Sequence, residues 1–384
     1  MSGTQMNGVH RSQADGPRVL LCARPGTGGS ARVIEALLRR LPDHGIGGTA
    51  ALSSTEGTDL LDAAATHGWA VERVDMRREI APLADLGALR RLRRLGDGHD
   101  LVHAHAAKAG ALARVALGGR LPVIYAPHGF YFTYHEPGST KYRRYLAFEK
   151  RLAGRTASLH CVSSAEAQTA VEHELAPLPF GPHLIYNPVP PACRVSVAHS
   201  RDRWSALKVP MDAPLVVMIA RLAEPKDPLT FIRAAAHVPT ELGARFVLVG
   251  DGPMLDSARA EAEGHENVHI LGHVPDAGAL LAGADVAVLT SASEGLPLTL
   301  VEAVAVGIPV VASDLPGCRE AAGLGGRYVP RSSPTALAHE ITRFLTDSAH
   351  RDAHAAAGRR HATQFDEDTW IARMVALYRM IADR

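Results

Sequence analysis

The sequence is short of several things that would narrow its role quickly. Its four cysteines (Cys22, Cys161, Cys193 and Cys318) stand far apart, with no C-x-x-C spacing. That argues against a zinc ribbon or a disulfide framework and fits a reducing cytoplasm. Neither charge is in surplus: 41 Lys and Arg face 40 Asp and Glu, a net +1, so nothing global points to nucleic acid. No apolar run approaches the ~20 residues of a membrane span. The polar opening MSGTQMNGVHRSQADG lacks a signal-peptide core. The expectation is a cytoplasmic protein with no nucleic-acid partner, whose residues 1–16 form a disordered N-terminus.

What is present is an ordinary globular composition, 46% hydrophobic and 21% charged over 384 residues, a length that suggests two domains. From Pro17 onward short β-branched runs alternate with longer helical ones. RVLLCAR (18–24), VERVDM (71–76), LVHAH (101–105), PVIYAP (122–127), SLHCVSS (158–164) and HLIYNP (183–188) read as strands. ARVIEALLRRL, LADLGALRRLRRL, KAGALARVALGG and AEAQTAVEHEL between them repeat apolar residues at helical spacing. Residues 189–213 are proline-rich, with one short helical stretch, and mark a linker. The alternation then restarts with PLVVMIA, ARFVLVG, NVHILG, DVAVLTS, IPVVAS and GRYVP. Strand–helix alternation of this kind builds parallel sheets covered on both faces. The predicted architecture is α/β: two Rossmann-like, doubly wound domains, 17–188 and 214–365, facing a central cleft. The last segment, 366–384, has Trp370, Ile371, Met374, Val375, Leu377, Tyr378 and Ile381 along one helical side, and is expected to pack back on the first domain.

In such sheets ligands bind beyond the carboxyl ends of the strands, and four clusters fall there. SASEGLPLTLVEAVAVGIPVV (291–311) places Glu294 and Glu302 in a nearly apolar stretch that contains no Lys or Arg. Buried charges of this kind need a partner or a ligand. Glu294 precedes a helix starting near Pro297, and the N–H groups around Gly295 and Leu296 make an anion site there. By spacing alone two readings stand: hydroxyl acceptors for a ligand, or a helix cap (Glu294) and a partner for a distant arginine (Glu302). MIARLAEPKDP (218–228) sets Arg221 and Lys226 beyond a strand, where two cations can clamp a diphosphate; a solvated charged loop is the alternative. RPGTGGSARVIEALL (24–38) is a glycine-rich turn opening a helix, neither G-x-G-x-x-G nor a Walker loop. VIYAPHGFYF (123–132) sets His128 just past a strand, where it can donate to a sugar hydroxyl or stabilise charge. His103 and His105 share one side of a strand and lack a clear third metal ligand. Basic residues at 90–95 and 141–155 read as solvated helix faces or as a surface for anionic headgroups or a polyphosphate acceptor.

Together these pieces resemble the retaining glycosyltransferases of family 4, which have the GT-B fold. The match rests on Glu294-Gly295-Leu296-Pro297 followed by Glu302 (an E-x7-E pattern) and on Ala220-Arg221-Leu222 with Lys226. VGDGP (249–253), LGHVP (271–275), GIPVVASDLPGCRE (307–320) and IYNPV (185–189) also fit. VHAHAAKAGALARVAL and YAPHGFYF look like an exopolysaccharide or capsule subgroup. Ala220 stands where relatives usually carry glycine, and Pro188 where many do.

The resemblance implies a retaining, metal-independent hexosyltransferase without a cofactor, using a nucleotide sugar as co-substrate, UDP-linked by preference. The acceptor would be a saccharide, lipid-linked or small-molecule hydroxyl, and the basic first domain would make peripheral contact with the inner membrane face. Arg221 and Lys226 would hold the donor diphosphate, Glu302 the ribose and Glu294 the donor sugar, with Gly295, Leu296 and Pro297 beside it. His128 would sit by the transferred sugar, Gly28 and Gly29 would line the phosphate and acceptor side, and Gly272 and His273 would lie against the base. A polar ligand, rather than a neighbouring cation, would then neutralise the two glutamates. Alternatives are a GDP-mannose-dependent mannosyltransferase and a glycosyltransferase of aminocyclitol antibiotic synthesis. A sugar-nucleotide 2-epimerase would need acid/base carboxylates in the first domain, of which no convincing set is present. Non-enzymatic two-domain sugar binders are usually exported.

Overall fold

The computed structural model describes residues 16–24, 28–53, 59–77, 79–176, 181–190 and 193–383. The expected N-terminal tail, up to residue 15, lies outside the described residues. The first sheet is built from β1 (Arg18–Ala23), β2 (Gly47–Leu52), β3 (Ala70–Arg73), β4 (Leu101–His105), β5 (Val123–Ala126), β6 (Ser158–Cys161) and β7 (Pro182–Leu184). Its helices are α1 (Gly29–Arg40), α2 (Asp59–Thr66), α3 (Pro82–Leu95), α4 (Ala106–Leu117), α5 (Thr140–Ala153) and α6 (Ser164–Glu172). After α7 (Val197–Ala206) the second sheet follows: β8 (Leu215–Ile219), β9 (Arg245–Val249), β10 (Val268–Gly272), β11 (Val286–Leu289), β12 (Val310–Ser313) and β13 (Gly326–Val329). Between and after them come α8 (Pro228–Ala235), α9 (Leu255–Ala262), α10 (Leu298–Val306), α11 (Pro316–Ala322), α12 (Pro334–Thr346), α13 (Ser348–His361) and α14 (Glu367–Ala382).

Every strand pair is parallel, in the orders β3-β2-β1-β4-β5-β6-β7 and β10-β9-β8-β11-β12-β13. Each order reverses once, between β1 and β4 and between β8 and β11, so each domain has a crevice at that switch point. The apolar strand runs follow from burial on both faces: all of Leu215–Ile219 and Val286–Leu289 is buried. β2 (GGTAAL) is the strand the sequence pattern missed. It has no β-branched run, and it is held as a strand by register with β1 on one side and β3 on the other, a tertiary override of weak local preference.

One core lies under α1 and α2, and α14 crosses back to complete it, burying all seven residues of its expected apolar side. Arg39 and Arg40 of α1 pair with Glu367 of α14, and Arg40 Nη2 reaches Asp368 at 2.7 Å, beside the negative side chains that suit a helix N-terminus. The connecting helix α7 sits on the second domain: Trp204 is fully buried and its Nε1 donates to Leu280 O at 3.0 Å. All four cysteines are free and buried. Among the described residues no helix is long and apolar enough to cross a membrane.

Candidate active site

The strand ends of both domains face a cleft of about 960 Å³, at the upper end of the usual size for small-molecule sites. On the second-domain wall, the chain leaves β8 and runs through Arg221 into a 3-10 turn at Glu224–Lys226. The turn is pinned from outside: Thr290 Oγ1 donates to Lys226 O (3.0 Å) and Asp227 O (2.8 Å), and Ala292 N donates to Pro225 O (2.8 Å). Asp227, in the left-handed region at φ 44°, then caps α8 by accepting from Thr230 N. Lys226 is thereby aimed at Glu294, with which it forms an ion pair, and Ser291 Oγ donates to the same carboxylate at 2.5 Å. Arg221 is exposed in the cleft wall and has no carboxylate partner among the described residues. Gly250 and Gly252 let the β9 loop cross this segment: a Cβ at Gly250, φ 141°, would stand 1.8 Å from Ala220 O.

Glu302, in the second turn of α10, is wholly buried and pairs with Arg32 of α1, a residue of the other domain. Burial pushes its carboxyl up to about 6, against the pull of the Arg32 guanidinium. Its Oε2 has no partner, and a Cβ on the cleft-lining Gly278 would come within 2.8 Å of it. These pairs overturn one expectation: cations, Lys226 and Arg32, accompany both glutamates. No lysine or arginine lies within the 291–311 stretch, and the fold supplies them from residues 68 and 270 positions away. For Glu302 the distant-arginine alternative is the one found.

The first-domain wall carries Gly28 and Gly29 at the start of α1, and His128 after β5. His128 and Gly129 both have positive φ, 55° and 97°. Glu166 of α6 holds that turn, accepting from Gly129 N at 2.5 Å and Val162 N at 2.7 Å. Burial raises the Glu166 carboxyl to about 7 despite these two bonds. His128 Nε2 lies 2.9 Å from His105 Nδ1, and burial drives His128 down to about 3, so it is neutral near pH 7. The domains also meet where Glu320 of α11 accepts from Ser164 N (2.6 Å) and Ala165 N (3.4 Å) at the N-terminus of α6.

The cleft therefore gathers Arg221, Lys226, Glu294, Gly295, Leu296, Pro297, His128, Gly28, Gly29 and His273. Glu302 lies beneath the wall rather than on it, and Gly272 stands behind it, its carbonyl accepting from Gly250 N at 2.8 Å. Pro297 caps α10 and the helix proper begins at Leu298. Sequence reasoning missed Arg32, Glu166, Tyr134 and Asn187. Arg32 and Tyr134 line the cleft, and so does Asn187, whose Oδ1 is buried without a partner. Asn187 lay within the IYNPV motif without a role assigned to it, and the signals of Arg32 and Glu166 were faint, since nothing local marks an arginine or glutamate on an amphipathic helix as inward-facing. Among the described residues no three His, Cys, Asp or Glu side chains form a metal-sized group.

Two family models match the chain in succession: a glycosyl transferase 4-like domain over residues 28–180 and glycosyl transferases group 1 over 213–347. The chain is 29% identical over 255 residues to the UDP-Gal:alpha-D-GlcNAc-diphosphoundecaprenol alpha-1,3-galactosyltransferase of Escherichia coli, covering 62% of this chain and 65% of that one. It is 33% identical over 178 residues to the N,N'-diacetylbacillosaminyl-diphospho-undecaprenol alpha-1,3-N-acetylgalactosaminyltransferase of Campylobacter jejuni, 46% of each. The chain thus spans less than two thirds of the length of these curated relatives. Among solved structures, Anabaena HepE in complex with UDP and glucose superposes with a TM-score of 0.75 at 20% identity, over 94% of this chain and 99% of that one. Sucrose-phosphate synthase from Thermosynechococcus elongatus does so at 0.76 and 19%, over 95% and 98%. Both likenesses are of fold.

Proposed function

The chain belongs to the glycosyltransferase family whose 4-like and group 1 domains it carries in tandem, and from that premise we propose that it moves a hexose or N-acetylhexosamine from a nucleotide diphosphate sugar to an acceptor hydroxyl. The observation that carries this reading is one cleft at both switch points that holds Arg221, without a carboxylate partner among the described residues, and Lys226, paired with Glu294, on one wall and neutral His128 on the other. Two cations past one strand suit a diphosphate, and as the sugar leaves they stabilise the negative charge that grows on it. They fill the role that a divalent ion takes elsewhere, so the proposed reaction is metal-independent.

Glu294, already beside Lys226, meets the donor sugar, and the N–H groups at Gly295 and Leu296 face the phosphates. Glu302 accepts from the ribose through its unpartnered Oε2, which requires the turn at Gly278 to yield slightly. Gly272 and His273 back the base, and Gly28 and Gly29 leave room for phosphate and acceptor. The proposed route retains configuration. The bond from anomeric carbon to phosphate oxygen breaks as the acceptor oxygen bonds on the same face, and the acceptor's proton passes to the leaving phosphate oxygen. UDP is the favoured nucleotide and a lipid-linked saccharide the favoured acceptor, in keeping with what the Escherichia coli relative is named for.

A membrane contact is part of the reading. Ile80 and Leu83 are 80% and 88% exposed, and Leu86, Arg90, Arg93 and Arg94 continue that outward side of α3. Lys141, Arg143, Arg144 and Arg151 are exposed on α5, and α4 packs against both helices. Apolar tips among arginines suit an anionic lipid surface. Sedimentation with phosphatidylglycerol vesicles should carry the protein down and phosphatidylcholine should not; equal recovery with both refutes the contact. For the reaction, incubation with UDP- and GDP-sugars should release nucleoside diphosphate, and NMR anomeric coupling should show retention. No release from any donor would refute transfer, and an inverted product would refute the route.

A further inference from the structure

Behind His128 the first domain buries three more imidazoles, His103 and His105 on β4 and His160 on β6. Ring centroids lie 5.2 Å apart for His128 and His105, 4.0 Å for His105 and His103, and 5.5 Å for His103 and His160. Burial and the neighbouring rings lower all four, His160 to about 4. Each ring is therefore neutral near pH 7, with one N–H and one lone pair, and the partners decide which nitrogen holds the proton.

At the inner end Ile185 O can only accept, so His160 Nε2, 3.1 Å away, donates and its Nδ1 is bare. His103 Nε2 points its proton at that Nδ1 across 3.5 Å, which leaves His103 Nδ1 to accept from Tyr378 O–H at 2.6 Å. At the outer end, His105 Nε2 is buried with no partner. A buried N–H without an acceptor is rarer and costlier than an unused lone pair, so the proton of His105 sits on Nδ1. That proton can go only to His128 Nε2, 2.9 Å away, and His128 then carries its own on Nδ1.

We propose that His105 is a positioning residue for glycosyl transfer: its Nδ1–H fixes His128 as the neutral tautomer that presents Nδ1–H to the cleft, a donor for a hydroxyl or phosphoryl oxygen of the sugar nucleotide. The left-handed turn at His128, held by Glu166, fixes the direction of the ring as His105 fixes its proton. The ligand in this inference rests on the proposed transfer reaction, whereas the tautomer does not.

The test is nitrogen-15 NMR of the full chain labelled at histidine, with the His128 signals identified by their loss in His128→Ala. The expected spectrum shows His128 protonated at Nδ1. His105→Leu should move it toward the Nε2–H form, and His105→Asn, whose amide nitrogen replaces Nδ1, should restore it. In turnover, His105→Leu should cost ~10- to 100-fold in kcat, His105→Asn should recover most of that loss, and His105→Leu should add nothing in a His128→Ala background. His128 found as the Nε2–H tautomer in the wild type, or a His105→Leu loss of equal size without His128, overturns the proposal. If the wild type turns over no sugar nucleotide, the transferase reading fails while the NMR spectrum still decides the tautomer.

Discussion

The two walls of the cleft are built differently. The second-domain wall relies on full charges, Arg221, Lys226 and Glu294, carried on loops at strand ends and fixed by nearby backbone and hydroxyl bonds. The first-domain wall uses a neutral imidazole whose tautomer is set by His105 behind it, and His105 in turn packs on buried rings of β4 and β6 that reach Tyr378 of α14. Charge at a cleft surface acts from where it stands. A neutral donor works only if a partner keeps its proton on the right atom, so the first wall answers to a residue behind it. Only the Arg32–Glu302 pair joins a charge of one domain to a buried charge of the other among the ion pairs described for the cleft.

The largest expected effect tests the charged wall. Arg221→Ala or Lys226→Ala should lower kcat by ~10²-fold or more if they stabilise the leaving diphosphate; steady-state kinetics showing an unchanged kcat would remove the residue from that role. Lys226→Ala also leaves Glu294 without its cation, so its effect should be the larger of the two.

Next come opposite pH slopes in the two buried sets. Glu302 is raised from 4.5 to about 6, so the folded chain holds a proton that the unfolded chain releases. Its contribution to stability is full below pH 4.5 and lost as pH climbs through 6, about 2 kcal/mol. His160 is lowered from 6.5 to about 4, so the unfolded chain takes up a proton first. Its contribution is full above pH 6.5 and lost as pH falls through 4, about 3 kcal/mol. Urea midpoints against pH should flatten on the rising side in Glu302→Gln and on the acid side in His160→Gln, which keeps a donor for Ile185 O. The same slopes in a variant and the wild type would mean that group does not titrate as described.

The smallest effect tests the far end of this row of buried rings. Tyr378→Phe removes the hydroxyl that His103 accepts from, at a cost of about 1 kcal/mol in urea unfolding. A loss of several kcal/mol would mean that the hydroxyl anchors α14 as well.

How much of this was legible in the sequence differs between the walls in the same way. The cations and Glu294 stand in short loops after strongly β-branched strands, so local pattern located them. Strands of the second sheet such as β8 and β11 were legible because each is an unbroken apolar run, and the seven-residue apolar side of α14 announced its burial. β2 was not legible, since Gly47, Gly48, Ala50 and Ala51 carry no strand signal of their own. Nor was the pairing of Arg32 with Glu302, which depends on how two domains close over 270 residues of intervening chain. His103 and His105 could be placed on one side of a strand from alternation alone, but their link to His128 needed β5 beside β4.

The most direct measurement is calorimetric titration with UDP, GDP and uridine, on the wild type and on Arg221→Ala. The diphosphate clamp predicts that one nucleoside diphosphate binds the wild type ~10²-fold more tightly than uridine, with UDP ahead of GDP, and that Arg221→Ala removes most of that margin. Equal affinity for UDP, GDP and uridine, unchanged by Arg221→Ala, would contradict it.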